Sequence, residues 1–191
     1  MEQREIIERI IMEGTLITPD FYIPENQKEF YDGIAGLFTQ KKGVLLLGEY
    51  GCGKTLLMKI CRKIFGFANI ISTRHIMREF QIEGEKIIDI YGRNSFVCGQ
   101  LGNPIKDRPI NYCFDDLGLN DAIKNRYGNE INVMAEIISD RYEKFIDYKM
   151  KSYFTTNKTP EQIEKLYGDL VFDRLKQMTN LVIMPGKSLR K

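Results

Sequence analysis

The sequence predicts an α/β protein, a three-layer α/β/α sandwich built on a mostly parallel central sheet. Three observations predict it. From residue 43 onward, short apolar runs alternate with helix-length amphipathic stretches, the pattern of strands joined by crossover helices. The first of these runs passes through a glycine-rich turn straight into a helix. The chain has 191 residues, 43% of them hydrophobic and 28% charged, which suits one domain with a real core and argues against disorder.

Taken in order, residues 2–13 place Ile6, Ile7, Ile10 and Ile11 at helical spacing among charged side chains, so they predict an amphipathic helix whose stripe needs a partner surface. Two prolines make 17–24 a loop, and Phe30, Ile34 and Phe38 mark a second helix over 25–39. Residues 1–40 are thus expected to be N-terminal helices and a linker packing on a core domain, 41–191. Val44 to Leu47 form the first strand, and the helix over 54–65 stops at Gly66, glycine being common just past a helix end. A short strand at 69–72 precedes a charged segment that reads as one helix over 73–91. Residues 104–108 read as loop, and 110–114 as a strand ending in two aspartates. The longest helical stretch, 129–148, carries Ile131, Met134, Ile137 and Ile138 on one face and leads to a strand at 152–155. Pro160 opens the next helix in its first turn, where a missing N–H costs nothing. A helix over 169–178 and a strand over 181–184 complete the pattern before a basic tail, 186–191.

Charge and cysteine usage narrow the chemistry. The 28 Lys and Arg against 26 Asp and Glu leave +2, so any binding to nucleic acid or membrane has to be local. Cys52, Cys61, Cys98 and Cys113 form no C-x-x-C pair, and with His75 as the single histidine an ordinary zinc cluster cannot be assembled. The charged first residues lack the apolar run of a secretion signal, and no apolar run approaches the roughly 20 residues needed to cross a bilayer. The expectation is a cytoplasmic chain with reduced thiols and no membrane contact.

Gly48, Glu49, Tyr50, Gly51, Cys52, Gly53, Lys54 and Thr55 fit G-x-x-x-x-G-K-[ST] at every fixed position, directly after a strand and before a helix. The glycines let the backbone curl so that N–H groups point at phosphate oxygens, and the helix beginning here adds its positive dipole end. Lys54 would reach the β- and γ-phosphates of ATP, and Thr55 would place its hydroxyl on Mg²⁺. A plain glycine turn between strand and helix explains the spacing less well. About sixty residues on, an apolar strand delivers Asp115 and Asp116 at its C-terminal end, the edge where ligands bind in open α/β sheets. Asp115 would hold Mg²⁺ through its waters, and Asp116 would orient, or take a proton from, the water attacking the γ-phosphate. Standing alone, the pair would read as a solvated turn near Gly118; after a phosphate loop the catalytic reading is favoured.

Phe114-Asp115-Asp116-Leu117-Gly118, followed by Thr155-Thr156-Asn157-Lys158-Thr159-Pro160, resembles the AAA+ ATPases of the bacterial helicase-loader (DnaC) and transposition-helper (IstB) group, relatives of the initiator DnaA. The resemblance covers roughly residues 20–191 and rests on several motifs in the right order. It implies the AAA+ form of the P-loop sandwich, with Asn157 as the sensor 1 residue that contacts the γ-phosphate and the attacking water. Phe172-Asp173-Arg174-Leu175 looks like the group's arginine-finger motif, which makes Arg174 a catalytic residue acting on the ATP of a neighbouring subunit; the other reading pairs Arg174 with Asp169 or Asp173. Ser139-Asp140-Arg141-Tyr142 is similar to the group's helix end before the sensor strand, and Arg141 reads equally well as a structural ion-pairing residue. The tail resembles the terminal G-x-S-x-R, so Arg190 stands for a sensor-2-like contact, and backbone groups near Tyr22 to Pro24 for the adenine, unless Tyr22 only packs.

The resemblance implies an Mg²⁺-dependent ATPase that loads or remodels on DNA. It would assemble as a homo-oligomer in its ATP state, with a replicative helicase or other DNA-bound protein and single-stranded DNA as partners. Composition lends the DNA contact little support where the initiators make it: 74–91 holds Arg74, Arg78 and Lys86 against Glu79, Glu83, Glu85 and Asp89. Two other readings stand beside it, a nucleotide-gated adaptor with little hydrolysis and a small-molecule kinase. The kinase would need an acceptor pocket and an arginine-bearing lid, for which no segment reads.

Overall fold

The computed structural model describes residues 3–67, 69–98, 104–119, 124–126, 129–186 and 188. Helix α1 (Gln3–Ile17) is followed by a 3-10 turn at Glu25–Gln27 and by α2 (Lys28–Leu37). The core alternation then runs β1 (Gly43–Leu47), α3 (Lys54–Phe65), β2 (Ile70–Ser72), α4 (Thr73–Glu83) and α5 (Lys86–Tyr91). A small hairpin, β3 (Phe96–Cys98) with β4 (Pro104–Pro109), precedes β5 (Tyr112–Asp115). A second hairpin, β6 (Lys124–Arg126) with β7 (Asn129–Ile131), precedes α6 (Val133–Tyr148). The chain continues with β8 (Ser152–Thr156), α7 (Pro160–Tyr167), α8 (Asp169–Met178) and β9 (Thr179–Ile183).

Five strands pair in the order β2-β5-β8-β1-β9, every pairing parallel. Because alternate side chains of a strand face opposite layers, β1 feeds two cores. Leu45 and Leu47 join Phe114, Phe154, Ile137 and Ile138 on one side, while Val44 and Leu46 join Leu57, Ile60, Ile10, Ile34 and Phe38 on the other. The stripe of α1 finds its partner surface there: Ile6 and Ile10 are buried against the layer formed by α2 and α3.

Four expectations are corrected. Helix α1 runs to Ile17, past the expected end at residue 13 and into the expected loop, and α2 begins only at Lys28, after the 3-10 turn. The segment 73–91 is two helices, because Gly84 takes φ +68° and ψ −143°, a combination open to glycine and closed to other residues. Residues 104–109 form a strand and not a loop; with Pro104 opposite Cys98 and Pro109 opposite Phe96, the prolines sit in a two-stranded ribbon where few N–H donors are required. Residues 129–131 are strand, and α6 begins only at Val133, where the Asn132 side chain accepts from the Ala135 N–H and caps the helix.

Arg141 of α6 is fully buried, yet it forms none of the ion pairs seen among the described residues. It donates to Ser152 Oγ (2.6 Å) and to the carbonyls of Tyr91 (2.9 Å), Ile110 (3.0 Å) and Lys151 (2.9 Å). Its guanidinium also lies over the rings of Phe114 and Tyr112, at 5.2 and 5.5 Å. Burial pulls its pKa down to about 9, so it stays cationic at neutral pH. One side chain thereby ties α6 to the starts of β5 and β8 and to the end of α5.

Candidate nucleotide site

The wholly buried β1 delivers the glycine-rich loop at the C-terminal edge of the sheet. The Gly48 N–H donates to the Thr156 carbonyl of β8 (3.2 Å), which sets the loop beside the end of that strand. Gly51 and Gly53 take φ +77° and +105°, and Gly53 is the N-cap of α3, so the loop turns directly into the first helical N–H groups. Lys54 is buried, with its ammonium inside the curl, donating to the carbonyls of Gly48 (2.9 Å) and Glu49 (2.7 Å) and lying 3.8 Å from Cys52 Sγ. A cleft of about 680 Å³ opens in front, lined among others by Tyr50, Gly51, Lys54, Thr55 and Asp116. That volume is typical of a small-molecule site.

β5 brings in the carboxylates. Thr55 Oγ1 donates to both oxygens of Asp115, at 2.9 and 3.1 Å, across 60 residues of sequence. Among the described residues no group of three His, Cys, Asp or Glu could hold a metal alone. The hydroxyl and carboxylate of Thr55 and Asp115 are hard oxygen donors, too few for a protein cage and suited to Mg²⁺, which keeps most of its sites for phosphate oxygens and water. The two residues read separately as metal ligands are therefore neighbours in space.

Asp116, half-buried, has φ +61°, an uncommon backbone for a residue other than glycine. Its neighbours fix it there. Its N–H donates to Thr155 Oγ1 (3.0 Å), and its carbonyl accepts from Thr73 Oγ1 (2.9 Å). Thr155 Oγ1 in turn donates to Asp115 Oδ1 (2.6 Å), and the Leu117 N–H donates to the Thr155 carbonyl (2.8 Å). Thr155 and Thr73 are both fully buried, and sequence spacing alone assigns neither a role. A threonine on the strand next to the aspartates was the available signal, and it needs the strand order to be seen.

Asn157 follows Thr156 at the end of β8 and is half-buried, and it is not among the residues lining the cleft. Arg174, on α8, is not among the residues lining the cleft; its guanidinium lies 5.5 Å from the centre of the Tyr142 ring. The pairing with Asp173 is not its contact, since Asp173 faces Lys176 (3.7 Å) and accepts from Gln177 (2.7 Å). Tyr22 is 65% exposed and does not line the cleft. The segment it belongs to leads to Gln27, which donates to the Pro185 carbonyl, and beyond Gly186 a side-chain carbon at Gly51 would lie 2.3 Å from Ser188 Oγ. The C-terminal segment therefore threads between the N-terminal turn and the phosphate loop. Arg190 lies outside the described residues.

No protein-family model and no curated protein matches the chain. Solved structures do match. A candidate primosome component from Streptococcus pyogenes serotype M3 aligns with TM-score 0.59 and 16% identity over 91% of this chain and 87% of its own. The DnaC helicase loader aligns with TM-score 0.56 and 18% identity, covering 87% of this chain and 95% of its own. The replication initiator DnaA, bound to AMPPCP and single-stranded DNA, aligns with TM-score 0.57 and 12% identity over 88% of this chain and 49% of its own. At such identities the likeness is one of fold, and the chain has the AAA+ P-loop fold that these helicase loaders and replication initiators share.

Proposed function

We propose that the chain binds and hydrolyses ATP with Mg²⁺, and that it acts in DNA replication or mobile-element transactions by assembling on DNA or on a DNA-bound partner such as a replicative helicase. The observation that carries the reading is the meeting, at one sheet edge, of the Lys54 loop, the Thr55–Asp115 oxygen pair and the clamped Asp116. The neighbours' roles in helicase loading and initiation support the DNA setting by analogy of fold.

In this reading the Lys54 ammonium exchanges its two carbonyl acceptors for the β- and γ-phosphate oxygens, and loop N–H groups take the remaining oxygens. Thr55 and Asp115 hold Mg²⁺, whose chemistry when bound is to neutralise phosphate charge. Asp116 orients the attacking water and accepts its proton, and Asn157 contacts the γ-phosphate. Arg174 serves the site of an adjacent copy, Arg190 gives a sensor-2-like contact, and the Tyr22 segment contributes to adenine binding.

The test is ATP hydrolysis at two protein concentrations, with and without single-stranded DNA. Stimulation by DNA, with a rate per subunit that climbs with concentration, is the expected result. ATP binding with no turnover under any of these conditions would make the chain a nucleotide-gated adaptor. Turnover indifferent to both DNA and concentration would point to an enzyme of another class.

A further inference from the structure

Helix α3 carries Lys54, Lys59, Arg62 and Lys63 and not one acidic residue. Positions 59, 62 and 63 lie on one face of the helix, and all three side chains are exposed. They line a second cleft, of about 470 Å³, whose far wall is Ile70 and Ser72 of β2. That strand is the edge of the sheet, pairing only with β5 among the described residues. The inner end of the cleft is Thr55 and Asp115, and Thr55 and Lys59 line both this cleft and the one at the phosphate loop.

The charge here is unspent. Among the described residues, Arg4, Lys28, Lys86, Arg93 and Lys176 each pair with a carboxylate. Arg62 rests on a neutral amide, donating to Asn69 Oδ1 at 3.0 Å, and Lys59 and Lys63 have no acidic partner among the described residues. The one carboxylate of the cleft, Asp115, is occupied with Thr55 and Thr155. At the junction of α4 and α5, by contrast, Lys86 is spent on Glu83.

We infer that the groove between α3 and the edge strand β2 docks the sugar-phosphate backbone of single-stranded DNA and carries it to the margin of the nucleotide site. The inference rests on the DNA-acting function proposed above. The occupant follows from the lining: positive charge along one wall calls for a polyanion, and with no aromatic side chain among the residues lining the groove, bases have nothing to stack on. The contact is therefore to phosphate and indifferent to sequence. Sharing Thr55 and Lys59 between the clefts makes strand binding and nucleotide binding sensitive to each other.

The measurement is fluorescence anisotropy of a labelled oligo-dT with the protein and a non-hydrolysable ATP analogue, over a range of salt. The Arg62→Gln/Lys63→Gln protein should bind at least tenfold more weakly at low salt. Its slope of log K against log [salt] should be shallower by about 1.4, from two phosphate contacts at about 0.7 each. Lys63→Gln alone should change the slope by about half as much, and keeps the test valid if the double variant melts early. Lys41→Gln/Lys165→Gln, which removes the same charge elsewhere, should leave the slope unchanged. If both double variants bind like the parent, the groove is the wrong surface while the DNA reading stands. If the parent binds no oligonucleotide at all, that reading and the groove fall together. If a polyglutamate peptide, and not oligo-dT, binds through Arg62 and Lys63, the occupant is an acidic protein and the inference is overturned.

Discussion

Asp116 and Thr155 show how much of the candidate nucleotide site is decided by single atoms. Asp116→Asn keeps the shape of the side chain and its αL backbone, which asparagine tolerates, but removes the proton acceptor. We expect binding of Mg·ATP to persist and turnover to fall by about 10²- to 10⁴-fold; full activity by phosphate release would move water activation to another group. Thr155→Val removes the hydroxyl that ties the Asp115 carboxylate to the Asp116 N–H, at 2.6 and 3.0 Å, with almost no change in volume. Turnover should drop about tenfold or more, with recovery in Thr155→Ser, because each buried partner left unsatisfied costs about 1–3 kcal/mol. A valine variant as fast as the parent would reduce Thr155 to a space-filler. The meeting of Lys54, Thr55, Asp115 and Asp116 at one sheet edge was legible in the sequence, because spacing and flanking strands put them there. Thr155 and Thr73 were not, since their bonds to the aspartates span 40 and 43 residues and exist only once the strands have an order.

Among the elements, those with a strong period were readable and those ended by a single residue were not. The apolar spacing of Ile76, Met77, Phe80, Ile87 and Ile88 continues across Gly84, so the pattern announces one helix where the backbone makes two. Prolines and charges disguised β4, which among the described residues pairs with the three-residue β3 alone. The role of Arg141 was half legible: its place at the end of the helix before β8 marked it as important, but burial substitutes carbonyls and ring faces for the expected carboxylate. Arg141→Ala leaves those carbonyls without a donor and opens a void beneath Phe114. We expect a loss of about 3–5 kcal/mol, on the order of 10 °C in melting temperature by circular dichroism, since removing the centre of a buried polar network is among the costly substitutions. An unchanged melting temperature would mean that the strands and α6 hold their places without it.

At the scale of the whole molecule, the alternation of strands and helices announced the sandwich, but the order of the strands could not be read from it. Arg174 is not among the residues lining its own cleft, and the proposed function gives it a role on another copy. Arg174→Ala should bind ATP normally and hydrolyse it slowly. Mixed with Lys54→Ala, itself inactive, it should regain part of the activity, because some mixed interfaces pair an intact loop with an intact arginine. No recovery in a mixture shown by sedimentation to co-assemble would make Arg174 a local packing residue. The interior place of β1, between β8 and β9, has a consequence for synthesis. Its two neighbours, β8 and β9, end at Thr156 and Ile183, more than a hundred residues later. At roughly 5–20 residues per second, a ribosome takes several seconds or more to supply them. During that interval an apolar strand with neither of its two native neighbours is attached to a basic helix, and its edges are open to wrong pairing.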